Sequence, residues 1–282
     1  MKFGVTLPIT GVDGDVRQIA ECAALAEECG WEAVWIEDYI VSFGGAKEPV
    51  FDPWLTMTAV ALATKKIRLG ITVTPLARRR PWKVAREAVT LDHLSNGRLI
   101  LGVGVGMSED ASFANFGEVG DVKLRSEMLD EALEILAGLW SGKPFDFEGK
   151  HYKVAESAFF PTPVQKPRIP IWIGGGWPRK QFTARAMRWD GACPFKVDAK
   201  GNMDMLSADD VREMKATLEA GRKKGAPLDI VVGGSTDGLS KQAAAAKTKP
   251  LADAGATWWS EMTSNKGAAL RKRIQQGPPR FD

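Results

Sequence analysis

The chain has 282 residues, 44% of them hydrophobic, and carries a formal net charge of +3 at pH 7. This composition supports a sizeable buried core, and so small a charge argues against a nucleic-acid partner. Three sparse cysteines, no apolar signal core at the N-terminus and no apolar run of about 20 residues predict a cytoplasmic protein with reduced thiols and no membrane partner.

Apolar strand segments and helical segments alternate along the chain. The strands begin near Lys2, Ala33, Ile67, Arg98, Ile169, Asp190, Asp229 and Thr257. Helical periodicity follows them at 16–29, 53–64, 82–94, 124–139, 180–188, 208–223, 239–254 and 267–276. Gly30 and Gly255 come directly after two of these helices, as C-terminal caps do. Eight such pairs predict an α/β fold, a closed (β/α)8 TIM barrel in preference to an open doubly wound sheet.

Residues 141–167 interrupt the alternation after the fourth helix. Their aromatic residues, the Gly149 turn and the closing prolines predict an ordered insertion, such as a small hairpin lying on the barrel. We see no low-complexity linker that would separate a second unit. The expectation is therefore a single barrel domain over residues 1–282 with one insertion.

Several predicted strands end in residues that let a ligand approach the backbone. Thr72 and Thr74 end the third strand, glycines follow at 102, 104 and 106 on the fourth, and a triglycine at 174–176 ends the fifth. Because ligands of α/β folds lie at the carboxyl ends of the strands, these ends predict the site. The basic pair at 179–180 opens the next helix and indicates an anion or phosphate site. Plain turns are an equally good interpretation of the glycines.

Common catalytic motifs are missing from the sequence. It contains no G-x-G-x-x-G after the first strand, no Walker A loop, no H-E-x-x-H and no G-x-S-x-G. The two histidines, His93 and His151, cannot build a multi-histidine metal centre, and we expect both to be structural. A site with so few acid–base groups favours a cofactor that supplies its own reactivity, such as a flavin or a deazaflavin.

Three long blocks carry a family resemblance: "VTPLARRRPWKVAREAVTLDHLSNGRLILGVGVG", "MLDEALEILAGLWSGKPFDFEGKHYKV" and "PTPVQKPRIPIWIGGGWP". With these blocks the chain resembles the bacterial luciferase-like superfamily of flavin-dependent monooxygenases and deazaflavin-dependent oxidoreductases. The resemblance implies a (β/α) barrel with an insertion after the fourth helix. It also implies a homodimer and an isoalloxazine-type ring at the carboxyl ends of the strands.

The resemblance also implies where the cofactor binds. A bulged, non-prolyl cis peptide is expected at the end of the third strand, where it would support the ring. The end of the fourth strand should line the ring or its side chain, and the triglycine with the next tryptophan should meet the phosphate or the ring edge. The cofactor-binding positions implied in this way are Leu7, Pro8, Thr72, Val73, Thr74, Gly104, Gly106, Ser108, Gly174, Gly175, Gly176 and Trp177.

The sequence departs from the family pattern at two strand ends. Many members have a histidine where this chain has Tyr39, and Trp-Asn where it has Met107-Ser108. Any histidine-based acid–base step is therefore in doubt. Three other residues are candidate catalytic groups: Asp38, for which an N-cap is the alternative role, Tyr39, for which packing with a tethered hydroxyl is the alternative, and Glu261.

Arginines outside the strand ends have two interpretations each. Arg125 on the fourth helix would either reach a phosphate or form a surface ion pair, and the second role is preferred. Arg78, Arg79 and Arg80 would either bind the polyanionic tail of a deazaflavin or form a solvated collar or dimer contact, which is again preferred.

Two enzyme hypotheses and one non-catalytic hypothesis follow. The preferred one is a luciferase-like monooxygenase that uses reduced FMN and oxygen on a small organic substrate, with a separate flavin reductase as a further partner. The alternative is a hydride-transfer oxidoreductase that depends on coenzyme F-420. The third is a cofactor-binding barrel without turnover. None of the three needs a metal.

Overall fold

The computed structural model describes residues 1–9, 15–42, 48–198, 200–223, 225 and 228–281. Eight parallel strands form the barrel: β1 (Lys2–Thr6), β2 (Ala33–Ile36), β3 (Arg68–Pro75), β4 (Leu99–Gly104), β7 (Ile171–Trp177), β8 (Gly191–Val197), β10 (Asp229–Gly234) and β11 (Trp258–Glu261). Each strand pairs with its neighbour in that order, β11 pairs with β1, and the pairing of β8 with β10 closes the ring. The predicted (β/α)8 TIM barrel is confirmed, and every strand starts within two residues of its predicted position.

Helices lie between the strands, as predicted. They are α1 (Val16–Glu28), α2 (Pro53–Ala63), α3 (Pro81–Leu94), α4 (Ala111–Ala114), α5 (Val122–Trp140), α6 (Lys180–Arg188), α7 (Ala208–Ala220), α8 (Lys241–Asp253) and α9 (Gly267–Gln275). Side-chain oxygens of Asp52, Asp121 and Ser207 accept from backbone N–H groups at three helix starts. Gly30 and Gly255 have φ values of 83° and 111° after α1 and α8, which confirms the predicted glycine caps. None of the described helices has both the length and the apolar surface needed to cross a membrane.

Three short elements were not predicted, one of them a 3₁₀ turn at Leu76–Arg78. Helix α4 has four residues, and strand β9 (Met203–Asp204) has two and pairs antiparallel with the end of β8. Elements of this length span only about one period of a hydrophobic pattern, so periodicity cannot detect them. Strand β9 extends the sheet beside the carboxyl end of β8, at the same end as the predicted site.

The insertion contains the predicted hairpin, formed by β5 (Phe145–Glu148) and β6 (Lys153–Ser157). The Glu131 carboxylate on α5 accepts from the backbone N–H groups of residues 150–152 and ties the hairpin turn to the helix. His151 contacts Glu127 on α5 at 3.0 Å, and His93 contacts the Thr162 carbonyl at 2.8 Å. Both histidines therefore join the insertion to the outer helices, consistent with the structural roles expected for them.

The barrel lumen is filled by three tryptophans from β2, β7 and β11. The ring centroids of Trp35, Trp172 and Trp258 lie 5.2–5.8 Å apart, and all three side chains are buried. The Trp35 indole occupies the space that side chains at Gly4 and Gly70 would fill. Since these strands lie on different sides of the barrel, the mutual contacts identify which face of each strand points into the lumen.

Candidate active site

The carboxyl end of the lumen is lined by one further layer of residues. Side chains alternate between the two faces of a strand, so the residue two positions after a lumen-facing tryptophan also faces the lumen. Glu37, two residues after Trp35, therefore faces the lumen. Ser260, two residues after Trp258, does so as well, and the Ser260 hydroxyl lies 3.3 Å from the Thr6 hydroxyl. We call this set the upper layer: Thr6, Glu37, Thr72, Gly104, Gly174, Phe195, Gly233 and Ser260. Glu37 is the one carboxylate among these described residues.

Val73 and two glycines form the floor of the site. The peptide bond between Thr72 and Val73 is cis, and β3 is bulged against β4 between Ile71 and Thr74, as the family resemblance implied. A Cβ atom would lie 3.0 Å from Val73 Cγ2 if added to Gly104 and 2.6 Å from Val73 Cγ1 if added to Gly174. Real Cβ atoms are rarely so close to a neighbour, so Val73 covers both glycines. The floor at these positions is therefore the Val73 side chain, for which the two glycines leave room, and it is low enough to fit a planar ring.

Glu37 and Tyr39 face the open end of the lumen together. The Glu37 side chain is accessible to solvent, yet the protein around it raises the pKa of its carboxyl group by desolvation, as expected for a group inside a concave site. The Tyr39 hydroxyl donates a hydrogen bond to this carboxylate, which by itself lowers the pKa of Glu37. Burial, with the nearby Glu37 charge, raises the pKa of Tyr39 far above its usual value. Tyr39 is therefore a stable hydrogen-bond donor.

Asp38 points to the opposite side of its strand. Its carboxylate accepts from Arg78 Nη2 at 3.0 Å and from Arg79 Nη2 at 2.8 Å and Nε at 3.0 Å. Arg78 also pairs with Asp110 at 2.6 Å, and its side chain is 1% exposed. The expected solvated collar is wrong for Arg78, because this guanidinium lies in a buried network that joins the ends of β2, β3 and β4. Both oxygens of Asp38 are committed to arginines, which favours a positioning role over proton transfer.

Glu261 also faces away from the lumen. Its carboxylate is fully buried and accepts from the Thr236 backbone N–H at 2.6 Å, the Thr236 hydroxyl at 2.8 Å and Trp259 Nε1 at 2.8 Å. Arg273 Nη2 on α9 lies 3.3 Å away. Through these donors Glu261 joins β10, β11 and α9. The geometry offers it no open side toward a ligand, although the catalytic role predicted for it stays a prediction.

The end of β7 divides its residues between the two faces. Gly174 and Gly176 face the lumen, whereas a Cβ atom at Gly175 would contact Phe182 of α6 at 2.9 Å. Trp177, on the same side as Gly175, is 3% exposed and packs in the outer core. The two inward glycines therefore face the lumen, whereas Gly175 and Trp177 lie on the side of α6, and the cofactor contact expected of all four stays a prediction. Arg179 and Lys180 are exposed where α6 begins, and no side chain caps that end.

The remaining predicted binding residues lie at different depths. Leu7 is buried between the barrel and its helices, and the partly exposed Pro8 lines a small cavity with residues of α1 and α9. Thr74 is fully buried, and no hydrogen-bond partner for its hydroxyl is found among the described residues. Gly106 has a φ of 77° with Phe113 packed against it, and Ser108 is exposed on the following loop.

Arg125 lies behind that loop. Its side chain is buried against the Phe113 ring, 4.1 Å from the centroid, and Nη1 donates to the Met107 carbonyl at 3.3 Å. The expected surface ion pair is therefore wrong. The guanidinium supports the loop after β4 from beneath.

Apolar side chains lie at the carboxyl ends of β8, β10 and β11, on one side of the mouth of the site. Met262 lies over Gly233, and Met205 lies against Gly234 beside the β9 extension. The exposed members of this set, which we call the apolar rim, are Phe195, Met203, Met205, Leu239 and Met262. Among the described residues, no group of three His, Cys, Asp or Glu side chains is placed to hold a metal ion. In the part of the chain that the structure describes, the site thus combines a floor at Val73, an apolar rim and one carboxylate in the upper layer, Glu37.

Sequence reasoning missed Glu37, although it found the correct strand end. The signal was available in the alternation, because Glu37 lies two residues after the large apolar Trp35. Asp38 has the opposite parity. The sequence alone does not show that Trp35 points into the lumen, since both faces of a barrel strand are apolar.

Comparisons with known proteins agree with this architecture. A family model described as luciferase-like monooxygenase matches residues 1–275. An F-420-dependent glucose-6-phosphate dehydrogenase from Nocardia farcinica is 32% identical over 220 residues, which make up 76% of this chain and 62% of that protein. The matches span 48–63% of the length of the first three dehydrogenases of this name.

Solved structures with the same fold include both kinds of enzyme. An F-420-dependent secondary alcohol dehydrogenase in complex with an F-420–acetone adduct superposes with a TM-score of 0.81 at 17% identity, over 100% of this chain and 99% of that one. The monooxygenase RslO1 from Streptomyces bottropensis gives 0.70 at 20% identity, over 98% and 97%. At such identities the likeness shows the fold alone.

Proposed function

Because the chain belongs to the luciferase-like monooxygenase family, we propose that it is an oxidoreductase that uses the deazaflavin coenzyme F-420 and transfers a hydride to or from a small organic substrate. The observation that carries this choice is the relationship to dehydrogenases named for F-420, at 30–33% identity over more than half of the chain. The FMN monooxygenase preferred from the sequence has weaker support, since the likeness to RslO1 is structural and only 20% in sequence.

The floor of the site supports a planar coenzyme of this class. Val73 would lie under the ring, and Gly104 and Gly174 leave the room that its side chain occupies. The exposed Arg179 and Lys180 at the start of α6 would attract the coenzyme phosphate, helped by the helix dipole. A bound deazaflavin supplies a ring carbon that accepts or donates a hydride. The apolar rim would exclude water from the substrate, and the chain contributes position and a local proton site.

A titration of the purified protein tests the proposal. Three tryptophans lie beneath the floor, so a bound coenzyme should quench the tryptophan fluorescence. We expect F-420 to do so at lower concentration than FMN. Gly174→Ala should weaken F-420 binding roughly 10-fold or more, an effect of about 1.4 kcal/mol, since the added methyl displaces Val73.

Gly120→Ala is the matched control, because nothing lies within 4 Å of that position. Tight binding of FMN with no binding of F-420 would favour the monooxygenase instead. Binding of neither coenzyme would favour the barrel without turnover. Anaerobic turnover of F-420 with alcohol and carbonyl compounds then tests the reaction itself.

A further inference from the structure

We infer that Glu37 is the group that exchanges the substrate proton in this site, that Tyr39 positions its carboxylate, and that the substrate is an alcohol or carbonyl compound with an apolar body. This inference rests on the proposed function and adds a residue and a substrate class to it. Neither follows from the sequence analysis, which assigned the proton chemistry to Asp38, Tyr39 and Glu261.

Position is the first argument. Glu37 is the carboxylate of the upper layer, in the same layer as the two glycines of the floor. The alternation continues past the end of β2: the side chains of Glu37 and Tyr39 meet in a hydrogen bond on one side, and Asp38 meets Arg78 and Arg79 on the other. A group on the lumen side can touch a ligand there, and a group behind the strand cannot.

Availability is the second argument. Asp38 and Glu261 are each held by several donors, including a buried arginine. The Glu37 carboxylate accepts a hydrogen bond from Tyr39 and remains accessible to solvent, so it has room to accept a proton from a ligand. Desolvation raises the pKa of its carboxyl group above the usual value, and a carboxylate with a raised pKa is a stronger base.

The surrounding charges do not oppose this role. The groups that act on the pair are Asp110, which raises the pKa of Tyr39, and Arg78, which lowers it. These two neutralise one another in a 2.6 Å ion pair. Tyr39 itself keeps its proton, because its pKa lies far above the usual range. Tyr39 is therefore a positioning residue whose hydroxyl orients the carboxylate.

The step balances for an alcohol substrate. The C–H bond breaks and its electron pair leaves as a hydride to the oxidised deazaflavin. The O–H bond breaks, its proton goes to the Glu37 carboxylate, and its electron pair forms the C=O bond. The substrate is oxidised by two electrons and the deazaflavin is reduced by two. In the reverse direction, the reduced coenzyme returns the hydride and protonated Glu37 returns the proton. The exposed apolar rim, with Phe195 and Met262, favours a substrate with an apolar body.

The first test uses turnover with F-420. Glu37→Gln should lower kcat for alcohol oxidation by about 10²–10⁴-fold, the usual contribution of a general base, and should remove the acidic limb of the pH profile. Tyr39→Phe should move that limb to higher pH, because it removes a hydrogen bond that lowers the pKa of Glu37. Glu156→Gln, an exposed carboxylate on β6, is the matched control and should leave kcat unchanged.

The second test needs no coenzyme. The chain has two tyrosines, so Tyr152→Phe leaves Tyr39 as the one reporter of phenol ionisation in the ultraviolet spectrum. In that background we expect Tyr39 to stay protonated up to alkaline unfolding. Glu37→Gln should bring its ionisation to lower pH, because the carboxylate charge and hydrogen bond both raise the pKa of Tyr39.

The outcomes separate this inference from the proposed function. If the wild-type protein turns over F-420 and Glu37→Gln keeps its kcat and pH profile, the function stands and the role of Glu37 is refuted. An unchanged Tyr39 ionisation in Glu37→Gln refutes the positioning contact. If the wild-type protein binds no F-420, the proposed function fails, and the catalytic role fails with it even where the Tyr39 ionisation shifts.

Discussion

Single carboxylates in this molecule owe their roles to the side of the strand on which they lie. Glu261 ends β11 and is 0% exposed, and Arg273, its partner, is 3% exposed. An ion pair without access to water is stable only while both partners are present, because the survivor would be a buried, uncompensated charge. The structure therefore predicts that the loss of Glu261 is first a loss of stability.

Glu261→Gln should lower the free energy of unfolding by about 3–5 kcal/mol, the usual cost of removing one partner of a buried pair. Urea denaturation followed by tryptophan fluorescence measures it. Glu148→Gln on the hairpin is the matched control, since Glu148 pairs with Lys153 while 79% exposed and should change stability by about 0.5 kcal/mol or less. A Glu261→Gln protein of unchanged stability but lost turnover would restore Glu261 as a catalytic residue.

Residues at strand ends show how far the sequence could predict the site. The ends of β3, β4 and β7 were located from threonines and glycines, because these residue types leave the backbone open. The side on which Glu37, Asp38 and Glu261 lie was not predicted, since a strand that is buried on both faces contains no polar alternation. Arg78 and Arg125 were expected at the surface because their buried partners, Asp110 and the Phe113 ring, are distant in sequence.

At the scale of elements, side chains join the ends of helices to the starts of strands. The Glu27 carboxylate on α1 accepts from the backbone N–H groups of Lys65 at 3.1 Å and Ile67 at 2.7 Å, in the turn between α2 and β3. Desolvation alone would raise the pKa of Glu27, but these backbone donors outweigh it, and the pKa is lowered. One carboxylate thus accepts hydrogen bonds from backbone N–H groups of the turn that have no partner in a helix or strand.

Glu27→Gln should destabilise the fold by about 1–3 kcal/mol near neutral pH, the cost of leaving backbone donors poorly satisfied. The folded-state pKa of Glu27 lies below its unfolded value. Its ionised form therefore stabilises the fold above the unfolded pKa, and that stabilisation is lost as the pH falls through the folded pKa.

Urea denaturation at about pH 7 and about pH 3.5 should show the difference between wild type and Glu27→Gln shrinking at the lower pH. Glu28→Gln, at the exposed end of the same helix, serves as the control and should follow the wild type at both values. A difference that grows on acidification would contradict the role assigned to Glu27.

Elements with complete signals were predicted well. Helix α2 has Asp52 and Pro53 at its start, and α6 was predicted with both of its ends correct. Helix α4 and strand β9 were missed because local pattern does not define them. Strand β9 depends on its antiparallel pairing with β8.

At the scale of the whole molecule, glycines leave the room in which the lumen tryptophans pack. Gly70→Ala places a methyl group inside the Trp35 indole, which touches Trp172 and Trp258 in turn. We expect a loss of about 1–3 kcal/mol in the free energy of unfolding, because an overfilled core must shift. Thermal unfolding measures it. Gly120→Ala, in open space, should be neutral, and equal stability of the two variants would show that the lumen yields easily.

The tryptophan-filled lumen also constrains the order of events in turnover. Trp35, Trp172 and Trp258 fill the barrel beneath the floor, so under the proposed function coenzyme and substrate would both approach from the carboxyl ends of the strands. The molecule that lies on the floor at Val73 would be covered by its reaction partner. If the proposed function holds, the coenzyme should bind first and leave last. Excess substrate would then slow the release of the product form of the coenzyme, and product release through the mouth would limit kcat.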